Sequence, residues 1–184
     1  MADALPPETK LEIYRLVLQR YKDLINEKEA LTISEIRQKV SPYNDLVRKI
    51  RDEITKDMVP YNSKTQFFDA AQRAISHVRE IRTCEFAFSF WMSFEEIERL
   101  KIATAMDKAI LLAALLRSLE SEDVRVVVTS RGRPYVRFST EERRYLFVPE
   151  SGSLLVGEDA LEVFSNDNVS YSFSDLMYEN HEEQ

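Results

Sequence analysis

ATAMDKAILLAALLRSL, residues Ala103 to Leu119, reads as one helix with almost no polar face. A helix that is apolar nearly all round is buried on most sides. Alanine and leucine are strong helix formers, so local propensity agrees with that placement. Thr104 is positioned to cap the start, with Asp107 three residues on in a variant of the capping box. Asp107 also complements the positive end of the helix dipole. The front of such a helix points unsatisfied N–H groups outward, where a nucleophile or an anion is favoured.

The flanking sequence sets this helix in an α+β chain. After Leu119, three short β-rich segments, Val124 to Thr129, Pro134 to Ser139 and Arg144 to Val148, are joined by turns at Arg131-Gly132-Arg133 and Thr140 to Arg143. Consecutive strands with short loops predict an antiparallel meander. A short helix is expected around Glu158 to Phe164, and a weak strand or helix from Ser170 to Tyr178. Before the central helix, Ser93 caps a short helix, Phe94 to Leu100. Cys84 to Trp91, CEFAFSFW, alternates aromatic and smaller residues and reads as strand or extended chain.

Residues 1–60 read as an N-terminal helical region and 61–184 as the core. Apolar residues Leu11, Tyr14, Val17, Leu18, Tyr21, Leu24 and Ile25 recur at three and four over Glu8 to Lys28, giving an amphipathic helix. Thr32 or Ser34 caps a second helix, Glu35 to Val40. Ser41 and Pro42 open a third, with Leu46, Val47, Ile50 and Ile54 inward. Val59 to Ser63 is a linker, because Pro60 forces Val59 out of helical geometry. Ser63 caps a fourth helix running to about Arg82. The apolar faces of these helices are expected to pack on the core; the competing reading is a groove that takes a partner.

Composition narrows the partners. The 184 residues carry a formal net charge of −7, which argues against nucleic acid or an anionic membrane as the main partner. The single cysteine, Cys84, excludes an internal disulfide and fits a reducing cytoplasmic location. The opening MADALPPETK lacks the pattern of a signal peptide, and no apolar run reaches the ~20 residues needed to span a bilayer. His77 and His181 are the only histidines, so no structural zinc site is expected, and no cofactor.

WMSFEEIERLKIATAMDKAILLAALLRSL followed by strands resembles the transglutaminase-like family, a papain-like cysteine enzyme fold, and within it the small archaeal members. The resemblance covers about Ser63 to Gly157. In that family a helix opens Cys-x-Asp-Lys-Ala; this chain has Ala105-Met106-Asp107-Lys108-Ala109, then Leu111 to Arg117 in the family's Leu-Leu-x-x-Leu-Leu-Arg pattern. The family's histidine strand corresponds to Arg133-Pro134-Tyr135-Val136, and its aspartate strand to Phe147-Val148-Pro149. The resemblance therefore implies Ala105 at the nucleophile position, Arg133 at the base position and Val148 at the orienting position.

A triad needs a thiolate, a neutral imidazole and a carboxylate to hold it. Alanine has no nucleophile, arginine stays protonated, and valine orients nothing. Loss of the nucleophile alone costs on the order of a millionfold in rate. The expectation is a pseudoenzyme with a binding or scaffolding role, its partner an unidentified protein or peptide.

Three other sets of residues carry alternative chemistry. Cys84 with His77 as base would make a displaced cysteine hydrolase; against it, a free cysteine is usually a small buried hydrophobe. Asp107 and Lys108 line a residual pocket, or serve as a cap carboxylate and a surface lysine. Arg125, Arg131, Arg133, Arg137, Arg143 and Arg144 crowd one meander, opposed by Glu141 and Glu142. Tyr135 and Arg137 share a strand face. Arg125, Arg131, Arg133, Tyr135 and Arg137 are thus candidates for binding a small anion or a partner, and RNA through arginine and aromatic stacking; the plain reading is a solvated strand face.

Overall fold

The computed structural model describes residues 6–28, 31–86, 90–141, 143–165 and 167–181. The chain falls into two units, Met1–Leu31 with Phe86–Trp91, and Thr32–Glu85 with Met92–Gln184. Residues 32–60 thus cluster with the core rather than with the first helix.

The larger unit is α+β. Its central helix, α6 (Ala105–Ser118), is capped by Thr104: the Thr104 hydroxyl accepts from the Asp107 amide while Asp107 reaches back to the Thr104 amide. Every residue from Asp107 to Leu116 is buried. The sequence implies this, since a helix with no polar stripe must be enclosed. The helix ends in a Schellman arrangement. The Ser121 amide donates to Leu116 and the Glu120 amide to Arg117, with Glu120 in the left-handed region at φ 71°.

A six-stranded antiparallel sheet follows: β3 (Arg125–Thr129), β4 (Pro134–Ser139), β5 (Arg144–Val148), β6 (Ser153–Val156), β7 (Val169–Phe173) and β8 (Tyr178–Asn180). Its order is β6-β5-β4-β3-β7-β8. The meander β3 to β6 forms from neighbours in sequence, and the chain then returns to seal the free flank of β3 with β7. Gly152, at φ 72°, makes the turn into β6 possible. Between β6 and β7 run α7 (Glu158–Glu162) and a 3₁₀ turn, Val163–Ser165.

Alternation assigns the two sheet faces. One carries Val126, Val128, Val136, Phe138, Tyr145, Phe147 and Phe173, all buried. Phe138 stacks on Tyr145 at 5.1 Å, and Phe67 and Phe68 pack against this pair. Those two rings come from α4 (Ser63–Arg79), which lies beside α6 with α3 (Asp45–Ile54). The opposite face has its own small core of Val127, Tyr135, Leu146 and Ala160, with Val148, Leu155, Val163 and Phe164 against it. A two-stranded parallel ladder, β1 (Arg82–Thr83) with β2 (Ile102–Ala103), leads into the front of α6.

One helix start follows expectation and two differ from it. Thr32 caps α2 (Ile33–Lys39) in a full box with Glu35. The third helix starts at Asp45, not at Pro42. Asn44 accepts from the amides of Leu46 and Val47, and the Ser41 hydroxyl is occupied by the Tyr43 amide. A short amide side chain that satisfies two orphan donors at once outcompetes a serine that reaches one. Likewise Asn62, one residue before Ser63, caps α4. The described residues of the CEFAFSFW stretch are not strand; the strand lies just before them at Arg82–Thr83, and residues 87–89 lie outside the described residues.

The smaller unit contains α1 (Pro7–Lys28). Leu11, Tyr14, Leu16, Tyr21 and Leu24 are each at least half exposed.

Candidate functional site

The front of α6 is built by three short elements. α5 (Phe94–Leu100), capped by Ser93, and β2 deliver the chain to Thr104, while β1 lies alongside. Ala105 is the first helical residue and is partly exposed. Its methyl group offers no chemistry.

Asp107 and Lys108 are both 3% exposed. The Asp107 carboxylate accepts from the Thr104 hydroxyl at 2.7 Å and from the Thr104 amide at 3.3 Å. Burial pushes its pKa up from the usual aspartate range, against the hydrogen bonds from Thr104 and the Met92 amide and the charge of Lys39. Lys108 is not the surface lysine of the plain reading. Its ammonium donates to the Thr83 hydroxyl at 3.0 Å, and burial draws its pKa down from the ordinary lysine value. Thr83 in turn donates to the carbonyls of Pro149 and Glu150 at the end of β5. Helix front, β1 and the end of β5 are thus tied through one lysine.

Beside the Asp107 face of α6 lies a cleft of about 390 Å³. Tyr43, Asn44, Met92, Phe94, Asp107 and Ile110 line it, with Lys39 and Glu95 among the polar groups at its walls. Tyr43 is 71% exposed. The walls come from the α2–α3 loop, from the residues that open α5 and from α6, and no sequence periodicity links those segments.

The three positions that the resemblance assigns to a triad lie on three different elements, Ala105 opening α6. Arg133 stands exposed in the turn before β4, its amide held by the Thr129 hydroxyl. Val148 packs in the small core on the sheet face turned away from α6. Cys84 and His77 engage different partners. The helix ends at Arg79, before Cys84, whose thiol donates to the Ala103 carbonyl at 3.6 Å. His77 pairs with Glu98 at 2.8 Å, and Glu98 also accepts from Lys101 at 2.7 Å.

The arginines of the meander divide into two groups. Arg131 and Arg133 sit at the β3–β4 turn, where Asp167 gathers the Thr129 hydroxyl at 2.8 Å, the Ser130 hydroxyl at 3.2 Å and the Arg131 amide. Arg125 and Arg137 lie at the other end of the same strands, directly opposite each other in register. Tyr135 shares their face but is buried, edge-on to Phe164 at 5.6 Å. A second cleft of about 390 Å³ opens at this end, lined by Asp123, Arg137, Ser139, Arg144 and Ala160. Arg144 belongs to the arginine set read from the sequence, whereas Asp123 and Ser139 do not, and Ser139 comes beside Arg144 through strand register.

Among the described residues no cluster of three or more His, Cys, Asp or Glu side chains is arranged to hold a metal ion, and no helix is long and apolar enough to cross a membrane. No family model, no curated protein and no solved structure matches the chain.

Proposed function

We propose that the protein is a non-catalytic, transglutaminase-like binding protein that holds a polypeptide segment of a partner in the cleft beside the front of α6. One observation carries this reading. Where the resemblance implies a nucleophile the helix begins with Ala105, and both ionisable residues behind it serve the scaffold, while the adjoining cleft stays open. Catalysis needs a nucleophile and a base within hydrogen-bond reach, and the helix front supplies neither. Binding needs less: an apolar floor with a few directed polar groups. Met92, Phe94 and Ile110 supply the floor. Asn44, Lys39 and Glu95 offer donors and acceptors for a backbone laid across it.

The test is an amide-resolved NMR titration of the full chain with a degenerate heptapeptide pool, run beside assays for glutamine deamidation and peptide cleavage. Shifts should concentrate on Lys39 to Asn44, Met92 to Glu95 and Asp107 to Ile110, and Tyr43→Ala should weaken them at least fivefold. No turnover should be seen. Turnover abolished by Cys84→Ala would sink the reading, as would peptide binding indifferent to Tyr43.

A further inference from the structure

The sheet face opposite α6 holds charge that the fold does not neutralise. In a directly opposed antiparallel pair the Cβ atoms lie ~4.5–5.5 Å apart, and like charges there destabilise the ladder. Arg125 and Arg137 occupy such a pair. Arg144 stands opposite Ser139 on the next strand, which places it diagonally beside Arg137 on the same face. No carboxylate among the described residues comes within ion-pair distance of these three guanidinium groups. Arg125 uses one nitrogen on the carbonyls of Glu122 and Val124. Arg137 and Arg144 have no hydrogen-bond partner for their side chains among the described residues, and both line the cleft.

Two further groups shape that cleft. The Ser139 hydroxyl donates to Asp123 at 2.5 Å, through one carboxylate oxygen only. The other oxygen of Asp123 remains an acceptor on the same wall. We propose that this cleft binds a small phosphorylated ligand that also carries a hydroxyl group. Its phosphoryl oxygens take the Arg137 and Arg144 guanidiniums, and its hydroxyl donates to Asp123.

Arginine favours this chemistry because its planar fork matches phosphoryl oxygens pairwise. The about 390 Å³ of space suits a ligand of sugar-phosphate size. A nucleic acid fits less well. Its binding calls for a basic track with stacking aromatics, whereas here Tyr135 is closed off against Phe164 and the chain carries −7 overall. Asp123 would also repel a bare polyanion.

The test is isothermal titration of the full chain with ribose 5-phosphate, ribose, inorganic phosphate and a short single-stranded RNA. Ribose 5-phosphate should bind at least tenfold more tightly than inorganic phosphate, and ribose should not bind. Arg137→Gln and Arg144→Gln should each weaken ribose 5-phosphate at least tenfold. Both side chains are exposed, so these variants keep the fold, which thermal melts verify. Asp123→Asn should erase the preference for ribose 5-phosphate over phosphate while leaving phosphate binding in place. No binding at millimolar ligand, binding unaffected by the two arginine variants, or RNA binding with a steep salt dependence would each overturn the assignment.

Discussion

Arg117 holds Asp175 with both arms of its guanidinium, Nε to Oδ1 at 2.5 Å and Nη2 to Oδ2 at 3.1 Å. A third donor, Nη1, reaches the Ser121 carbonyl at 2.6 Å. The Asp175 carbonyl meanwhile accepts from Arg37 at 2.8 Å. The rear of α6, α2 and the β7–β8 turn therefore meet at one residue, α6 through its carboxylate and α2 through its carbonyl. Both side chains are under one-fifth exposed, so the pair escapes the solvent screening that weakens surface ion pairs.

Removing one partner should leave the other charge stranded. Asp175→Ala is expected to lower unfolding stability by about 2–3 kcal/mol, read from urea melts. Arg117→Lys should recover little of it, since a lysine cannot make the two-pronged contact. A loss near zero in either variant would contradict the geometry.

Asp107 gives a pH signature. Burial raises its folded pKa above the usual aspartate value, so between those two values the native state holds more protons than the unfolded state. Stability then falls as pH rises through that window. Asp107→Asn cannot ionise, so its stability relative to wild type should improve as pH rises from 4 to 7. Urea melts across pH check this, and a difference that is flat or moves the other way refutes it.

Lys108 behaves in the opposite sense. Its folded pKa is drawn below the lysine norm by burial, so the cost of its charge is fully present below that folded value and lifts as pH climbs from there toward the unfolded value. Lys108→Met keeps the aliphatic stem and removes the ammonium. The variant should gain about 1 kcal/mol at pH 7, and the gain should shrink on titrating upward.

Glu98 sits between His77 and Lys101. Burial works to raise its pKa, but the hydrogen bonds from Lys101 and His77 together hold it below the ordinary glutamate range. Its contribution is complete above the unfolded glutamate pKa and disappears as pH drops through the folded one. Glu98→Gln should cost about 1 kcal/mol at pH 7 and much less at pH 3, by calorimetry at both values.

Glu120 occupies the left-handed position that closes α6, at φ 71°. Glycine adopts this conformation at less cost than a residue with a Cβ. Glu120→Gly, at the loss of an exposed contact with the Ser63 hydroxyl, should raise the melting temperature by about 2–4 °C, the equivalent of ~1 kcal/mol in a chain of this size.

Local signals were legible wherever the chemistry is local. The Thr104–Asp107 and Ser93–Glu96 boxes announce α6 and α5 from four residues each. β4 and β5 follow from alternation between turn residues. What escaped depends on distant partners. Whether Ser41 or Asn44 opens α3 is a contest between hydroxyl and amide for the same donors, and either residue type is a good cap in isolation. Val148 falls in the expected strand, yet its parity turns it away from α6; order along the chain carries no face. The six meander arginines look like one cluster until register sends Arg125, Arg137 and Arg144 to one end and Arg131 and Arg133 to the other. The cleft beside α6 draws on three segments that share no pattern, and nothing local marks Tyr43 or Met92 as neighbours of Asp107.

The position of β3 bears on how the chain is made. It is sealed on one flank by β4, five residues downstream, and on the other by β7, about 40 residues later. A ribosome adding ~5–20 residues per second leaves that second flank bare for several seconds. Val126 and Val128 stand there beside an unpaired row of amides and carbonyls, a template for any passing strand. Slower translation past codon 129 lengthens this window, and nascent-chain chaperones have the most to protect until residue 173 clears the exit tunnel.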